Sequence, residues 1–256
     1  MEKQVQKKQA RQRGKFYGIG AGPGAPELLT LKAVRVLQEV PVVFVPRGDA
    51  GEKSRALKII NPLLRSGQEV RELVFPMTRQ RRKLEQAWEG AAQAVAAVLD
   101  AGRDSAFVTL GDSSLYSTHF YLCEALQRAR PGLEVETIPG ITSFSAAAAL
   151  LNRPLALGRE CLAVVPATRD PAFLRQVLAA FDNVVLLKVA PVLEEVLCLL
   201  AEAGRLEDAA YVCRCGMPGQ LALENLAGAK ELPGDYFSLI LVGRKGAGEA
   251  LLEMLD

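Results

Sequence analysis

Residues 16–30, Phe16-Tyr17-Gly18-Ile19-Gly20-Ala21-Gly22-Pro23-Gly24-Ala25-Pro26-Glu27-Leu28-Leu29-Thr30, restrict the fold more than any other stretch of this chain. They read as a short strand, a glycine-rich loop broken by two prolines, and a helix that starts at Pro26 with Glu27 in its first turn. A glycine loop after a first strand lets a ligand lie against bare backbone. Gly20, Gly22 and Ala25 satisfy a relaxed dinucleotide-binding pattern, so a dinucleotide-dependent oxidoreductase is one reading. Pro23 and Pro26 oppose it, because neither carries the amide hydrogen that a pyrophosphate-cradling helix start donates. The next strand, Val42-Val43-Phe44-Val45, runs into Pro46-Arg47 and not into the acid that would read a ribose.

Beyond this loop, apolar periodicity alternates between strand and helix. Strands are expected at 15–20, 41–46, 69–75, 105–111 and 134–139, with helices at 27–39, 53–65, 80–101, 117–129 and 142–151. Crossover helices between strands imply an α/β fold with a mostly parallel sheet covered on both faces, its ligand crevice at the carboxyl ends of the strands. Residues 152–160 break the pattern with proline and glycine and read as a linker. A second series follows: strand 161–166, helix 170–181, strand 183–189, helix 191–204, strand 209–215, then strands at 220–227 and 236–244 with no helix between them. That ending predicts a sheet with an antiparallel portion. The expected organisation is a basic tail over 1–14, an N-terminal α/β domain over 15–152 and a C-terminal α/β domain over 153–256, with a cleft between the domains.

Half of the 256 residues are hydrophobic and 23% are charged, ordinary for a soluble globular protein, and a net charge of +2 excludes a general polyanion binder. Lys3, Lys7, Lys8, Arg11, Arg13 and Lys15 crowd the amino terminus beside a single acid, Glu2. With no apolar core this segment is neither a signal peptide nor a membrane span, and it reads as a solvated tail in preference to a nucleic-acid arm. No apolar run reaches bilayer length. Cys123, Cys161, Cys198, Cys213 and Cys215 are scattered through mostly apolar segments, which fits buried, reduced thiols in a cytoplasmic protein. Cys213 and Cys215 would share one face of a strand, but without nearby histidines they suggest no metal site.

Three further segments fall at expected strand ends. In Thr109-Leu110-Gly111-Asp112-Ser113-Ser114-Leu115-Tyr116-Ser117-Thr118, Asp112 either faces the crevice or, like Ser117, caps the following helix. In Ile138-Pro139-Gly140-Ile141-Thr142-Ser143-Phe144-Ser145, a sharp turn leads into a helix of small side chains suited to close approach by a neighbour or a ligand. Arg47, and Arg79, Arg81 and Arg82 after the third strand, are either solvated basic faces or readers of carboxylates. His119, the single histidine, stands at a helix start and is either structural or catalytic. There is no Ser-His-Asp set, no Walker lysine motif and no histidine-carboxylate metal cluster.

Taken together, the Gly18-x-Gly-x-Gly-Pro-Gly-x-Pro26-Glu-Leu-Leu-Thr run, the Gly111-Asp112 loop and Pro139-Gly-Ile-Thr-Ser143 resemble the tetrapyrrole methylases. Phe44-Val-Pro-Arg47, Phe75-Pro-Met-Thr78, Leu115-Tyr-Ser-Thr118 and Tyr236-Phe-Ser-Leu-Ile240 are similar to the branch that methylates C20 of precorrin-2 or cobalt-factor II in cobalamin biosynthesis. The resemblance implies two α/β domains, a homodimer, and S-adenosylmethionine held in the interdomain cleft and released as S-adenosylhomocysteine. It implies cofactor contacts from Pro23, Leu110, Gly111, Asp112, Ser113, Leu115, Thr142, Ser143, Lys188, Val189, Cys215 and Gly216. Many members carry proline directly after the Gly-Asp pair, where this chain has Ser113. The reaction implied is transfer of the sulfonium methyl to an electron-rich meso carbon, for which the protein mainly supplies orientation. Asp112, Tyr116 and His119 are candidates to remove the proton left behind. Arg47, Arg79, Arg81, Arg82 and Arg153 are candidate anchors for the substrate carboxylates. A sister methylase acting at another ring carbon would keep the cofactor motifs and change the basic lining.

Overall fold

The structure, a computed structural model, describes residues 14–48, 54–78, 80–229 and 231–243. The chain divides into two compact units, Met1–Thr142 and Ser143–Asp256, so the division lies upstream of the proline- and glycine-bearing 152–160 stretch. The helix over Ser143–Leu150 therefore goes with the second unit, where it lies against the strand Ser238–Val242 of that unit's sheet.

The first unit is a five-stranded, all-parallel sheet in the order β3-β2-β4-β1-β5. Its strands are β1 (Phe16–Gly20), β2 (Val42–Arg47), β3 (Glu69–Val74), β4 (Ser105–Thr109) and β5 (Val135–Ile138). Alternation along β4 sends Phe107 to one face and Ala106 and Val108 to the other, and each face carries its own apolar core. Helices α1 (Leu31–Glu39) and α2 (Arg55–Ile60) cover the side of Ala106 and Val108. The opposite side is covered by α3 (Arg81–Asp100) and α4 (His119–Ala129), where alanines 91, 92 and 96 let α3 sit close.

The first helix begins later than its proline suggests. Pro26–Leu28 form a single 3-10 turn, Leu29 and Thr30 return to extended backbone, and the Thr30 hydroxyl caps α1 by accepting from the Ala33 amide (3.1 Å). A second proline has a similar effect downstream of α2, where Asn61–Leu63 tighten into a 3-10 turn.

The second unit holds a mixed sheet in the order β6-β7-β10-β8-β9. Its elements are α5 (Ser143–Leu150), β6 (Leu162–Pro166), α6 (Pro171–Ala180), β7 (Asn183–Leu187), α7 (Leu193–Glu202), β8 (Ala209–Cys213), β9 (Leu221–Leu223) and β10 (Ser238–Val242). β6 and β7 are parallel, whereas β10 runs antiparallel between β7 and β8, and β9 pairs antiparallel with β8. The antiparallel portion is as expected, although the last two strands pair with β8 and not with each other. β8 stops at Cys213 because Arg214 adopts a left-handed backbone (φ 52°), so Cys215 leaves the strand that was expected to carry both thiols. Cys213 and Cys215 are buried, but Cys161 and Cys198 are exposed, which corrects the expectation of uniformly buried thiols. Among the described residues no helix is long and apolar enough to cross a membrane.

Candidate functional site

Strand order makes β4, β1 and β5 neighbours, so the three loops singled out in the sequence leave the sheet side by side at its carboxyl edge. Backbone hydrogen bonds join them. Ala21 donates to the Thr109 carbonyl (2.8 Å), and Gly22 and Gly111 exchange a pair of bonds (3.1 and 2.8 Å), both with left-handed φ (73° and 70°). Gly20 and Gly140 pack so closely that a Cβ on Gly20 would stand 2.6 Å from Gly140 N and 2.7 Å from Gly111 O.

Asp112 is the clamp of this assembly. It is buried, and its carboxylate accepts from the Gly140 amide (2.8 Å), the Ser114 amide (2.8 Å) and the Ser114 hydroxyl. Burial works to raise its pKa. Hydrogen bonds from the Ser114 hydroxyl and from the Gly140, Ser114 and Leu115 backbone outweigh that and hold the carboxyl below its usual value. Asp112 therefore neither caps α4 nor offers a free base. Ser117 lies nearer that helix start, where its Oγ accepts from the His119 amide (3.1 Å). Ser113, where proline is common in the family it resembles, is fully buried and donates its hydroxyl to the Ile138 carbonyl (3.1 Å). A hydrogen bond thus ties the loop to β5 at this point, a contribution of about 1 kcal/mol.

Of the other expected cofactor contacts in the first unit, Pro23 is buried in the loop after β1, and Leu110, Leu115 and Thr142 are half-buried. Gly111 presents bare backbone, since nothing lies within 4 Å of where its Cβ would be. Two residues earlier, at the end of β4, the Thr109 hydroxyl is buried without a hydrogen-bond partner. Open glycine backbone at Gly111 fits a ligand gripped mainly by main-chain groups. A pyrophosphate fits poorly: the Gly22 amide is spent on Gly111, and α1 begins only after its own Thr30 cap.

In the second unit, Ser143 opens α5. Lys188 and Arg214 are non-glycine residues with left-handed φ (58° and 52°) directly after β7 and β8, and Gly216 shares that conformation (71°). Val189 and Cys215 are buried beside them. Sequence reasoning singled out neither Lys188 nor Arg214 as strained, because only the folded turn shows it.

The structure corrects two further candidate roles. His119 is wholly buried under β1, its ring filling the space a Gly18 side chain would take and its Nε2 2.9 Å from Thr137 Oγ1. Burial pushes its pKa down to about 4. It is a core residue with no exposed surface. Arg153 is also buried, its Nη2 donating to the carbonyls of Asp208 and Gly243, so it ties the chain after α5 to the end of β10 and is not the exposed arginine expected of a carboxylate anchor. Arg47 ends β2 with its Nε 3.2 Å from Glu72 Oε2, and Arg81 and Arg82 are exposed at the start of α3, Arg81 paired with Glu85 (2.8 Å). Arg79 lies outside the described residues. Tyr116 is 53% exposed with a left-handed backbone (φ 48°).

Gly18→Ala is expected to destabilise the first unit strongly, because the new methyl meets a buried ring that has nowhere to go. The double variant Gly18→Ala/His119→Ala should recover part of that loss, which urea melts of the two singles and the double would measure. His119 also makes stability depend on pH. Its folded pKa lies below the unfolded 6.5, so the contribution is complete above pH 6.5 and is lost as pH falls toward about 4. His119→Ala should flatten that part of the profile.

Known proteins resemble this chain over nearly its whole length. Residues 15–230 match the family of tetrapyrrole (corrin/porphyrin) methylases. The chain is 38% identical over 233 residues to the cobalt-precorrin-2 C(20)-methyltransferase of Salmonella typhimurium, covering 91% of this chain and 97% of that one. It is 35% identical over 237 residues to the precorrin-2 C(20)-methyltransferase of a Sinorhizobium species, covering 90% and 95%. The uroporphyrin-III C-methyltransferase of Thermus thermophilus, solved in complex with S-adenosyl homocysteine, superimposes with a TM-score of 0.62 at 24% identity over 90% of this chain and 98% of that one, a likeness of fold. The matched span takes in all three clamped loops and most of the second sheet, and the chain belongs to the tetrapyrrole (corrin/porphyrin) methylases.

Proposed function

We propose that this protein is an S-adenosylmethionine-dependent methyltransferase that methylates C20 of precorrin-2 or its cobalt-containing counterpart, cobalt-factor II, in cobalamin biosynthesis. The observation that carries this reading is the clamped three-loop edge at β1, β4 and β5, within a chain alike over nearly its whole length to C20-methyltransferases. When bound, S-adenosylmethionine supplies an electrophilic methyl group.

The chain's own residues bind and orient. Glycine backbone at Gly20, Gly22 and Gly111, with Pro23, Leu110, Leu115 and Thr142 around it, is the proposed cofactor surface, which the buried Asp112 and Ser113 support through their bonds to Gly140, Ser114 and Ile138. Ser143, Lys188–Val189 and Cys215–Gly216 are proposed as further cofactor contacts. The attacking meso carbon is electron-rich, so alignment is the main task of the protein. Of the three candidates for the residual proton, Asp112 is spent on the loops and His119 is buried, which leaves Tyr116. Arg47, Arg81 and Arg82 are proposed to hold substrate carboxylates. We place the enzyme in the cytoplasm as a homodimer.

Arg47→Ala is expected to raise KM for the macrocycle about tenfold while leaving the affinity for S-adenosylhomocysteine unchanged. A single lost charge-assisted hydrogen bond is worth about 1.5–3 kcal/mol. Unchanged kinetics would remove Arg47 from the site. The activity itself is tested anaerobically with S-adenosylmethionine and either macrocycle, read by product mass. One added methyl mapped to C20 is expected, and the faster substrate assigns the metal state. A methyl at another carbon, or none with S-adenosylhomocysteine still bound, would identify a sister enzyme.

A further inference from the structure

Strand β10 enters the second sheet between β7 and β8, with Leu239 opposite Leu187 and Ser238 opposite Cys213. The residues just before it, Asp235–Phe237, therefore run between the turns that leave β7 at Lys188–Val189 and β8 at Arg214–Gly216. Among the described residues, these are the two turns that hold a basic residue in a left-handed backbone.

Polar bonds fix this short segment at several points. Arg214 grips Asp235 through both Nε (2.7 Å) and Nη2 (2.6 Å), and Asp235 Oδ1 accepts from the Phe237 amide (2.8 Å). The Ser238 hydroxyl donates to the Asp235 carbonyl (2.6 Å), the Arg214 amide donates to the Phe237 carbonyl (2.9 Å), and the Tyr211 hydroxyl donates to the Pro233 carbonyl. What this bonding presents is Tyr236. Its ring is 64% exposed, braced edge-on by Phe237 at 5.1 Å and 84°. The pinned backbone holds this aromatic ring, with its apolar faces and polar tip, at the surface beside the two turns. Rigid backbone beneath an exposed, edge-braced ring is the arrangement of a stacking platform.

We infer that Tyr236 is a cofactor-contacting residue, its ring the face on which the adenine of the cofactor stacks. Arg214 and Asp235 act through it, as positioning residues. This rests on the reading of the Lys188–Val189 and Cys215–Gly216 turns as cofactor contacts. Stacking uses the ring and not the hydroxyl, so Tyr236→Phe and Tyr236→Ala must part company.

The test is calorimetric titration of S-adenosylhomocysteine into wild type, Y236F, Y236A and D235N, with thermal melts and sedimentation velocity on each. Y236F should bind within about twofold of wild type and Y236A about tenfold more weakly, with melting temperature and mass unchanged. D235N keeps the ring but loosens its support and should fall between them. Y236A binding as tightly as wild type overturns the inference, and so does a smaller sedimenting species with affinity intact, which would make the ring a subunit contact. Wild type that fails to bind S-adenosylhomocysteine at all would instead overturn the functional reading, independently of Tyr236.

Discussion

Gly140→Ala is expected to weaken S-adenosylhomocysteine binding about a hundredfold and to lower the melting temperature of the protein. The added methyl would run into the Gly111 carbonyl and stand 2.8 Å from the Gly20 backbone. Those neighbours are main chain, bonded into β1, β4 and each other, so they yield only by moving the loops apart. Overpacking of this kind costs about 1–3 kcal/mol, and each tenfold in affinity is about 1.4 kcal/mol. Gly20→Ala meets the same Gly111 carbonyl and the Gly140 backbone, and should behave alike. Gly90, inside α3 with nothing within 4 Å of its Cβ position, is the control: Gly90→Ala should stabilise by up to about 1 kcal/mol. Full cofactor affinity in Gly140→Ala would show that this loop edge is not the cofactor site.

The second large effect belongs to Asp112. Asp112→Asn keeps the shape but replaces one acceptor oxygen with an amide, which sets donor against donor at either Gly140 N or the Ser114 groups. A buried donor left unanswered costs about 1–3 kcal/mol, so cofactor affinity should drop about tenfold or more, with the loops loosened as well. The native carboxylate also carries a pH signature. Its folded pKa lies below the ordinary 3.8, so its stabilisation is complete above that value and is lost as pH falls through the lower folded pKa. Acid unfolding followed by circular dichroism should show wild type losing stability in that range, and Asp112→Asn should lack this component. Identical acid limbs would mean that the clamp contributes nothing to the fold.

Much of the fold was legible in the sequence because it rests on local pattern. Strand–helix alternation placed every strand of both sheets to within a few residues, and the glycine and proline turns marked where each loop leaves its strand. The departures came from contacts that no local pattern encodes. Pro26 looked like a helix start, but the Thr30 hydroxyl, four residues on, captured the Ala33 amide and moved it. Arg214 looked like one more residue of β8, yet its bond to Asp235 belongs to a left-handed turn. Within the candidate site, the three loops were found as segments, but their union depended on strand order, which makes β4, β1 and β5 neighbours. Residue roles were less readable still. Asp112, His119 and Arg153 are polar residues of the kind chemistry uses, and all three prove to be buried fastenings, to Gly140, to Thr137, and to Asp208 and Gly243. A polar side chain looks the same in a sequence whether it faces a substrate or a buried carbonyl.

The place of β10 has a consequence for how the polypeptide is made. The first sheet draws its strands from residues 16–138, so it can assemble while the rest of the chain is still being translated. The second sheet cannot follow that order, because residues 238–242 fill the middle position between β7 and β8. Until they leave the ribosome, two buried, apolar strands each lack their inner partner and present open backbone edges to any neighbouring nascent chain. A cell that pauses or truncates synthesis shortly before this point would hold a finished first unit joined to an aggregation-prone half-sheet.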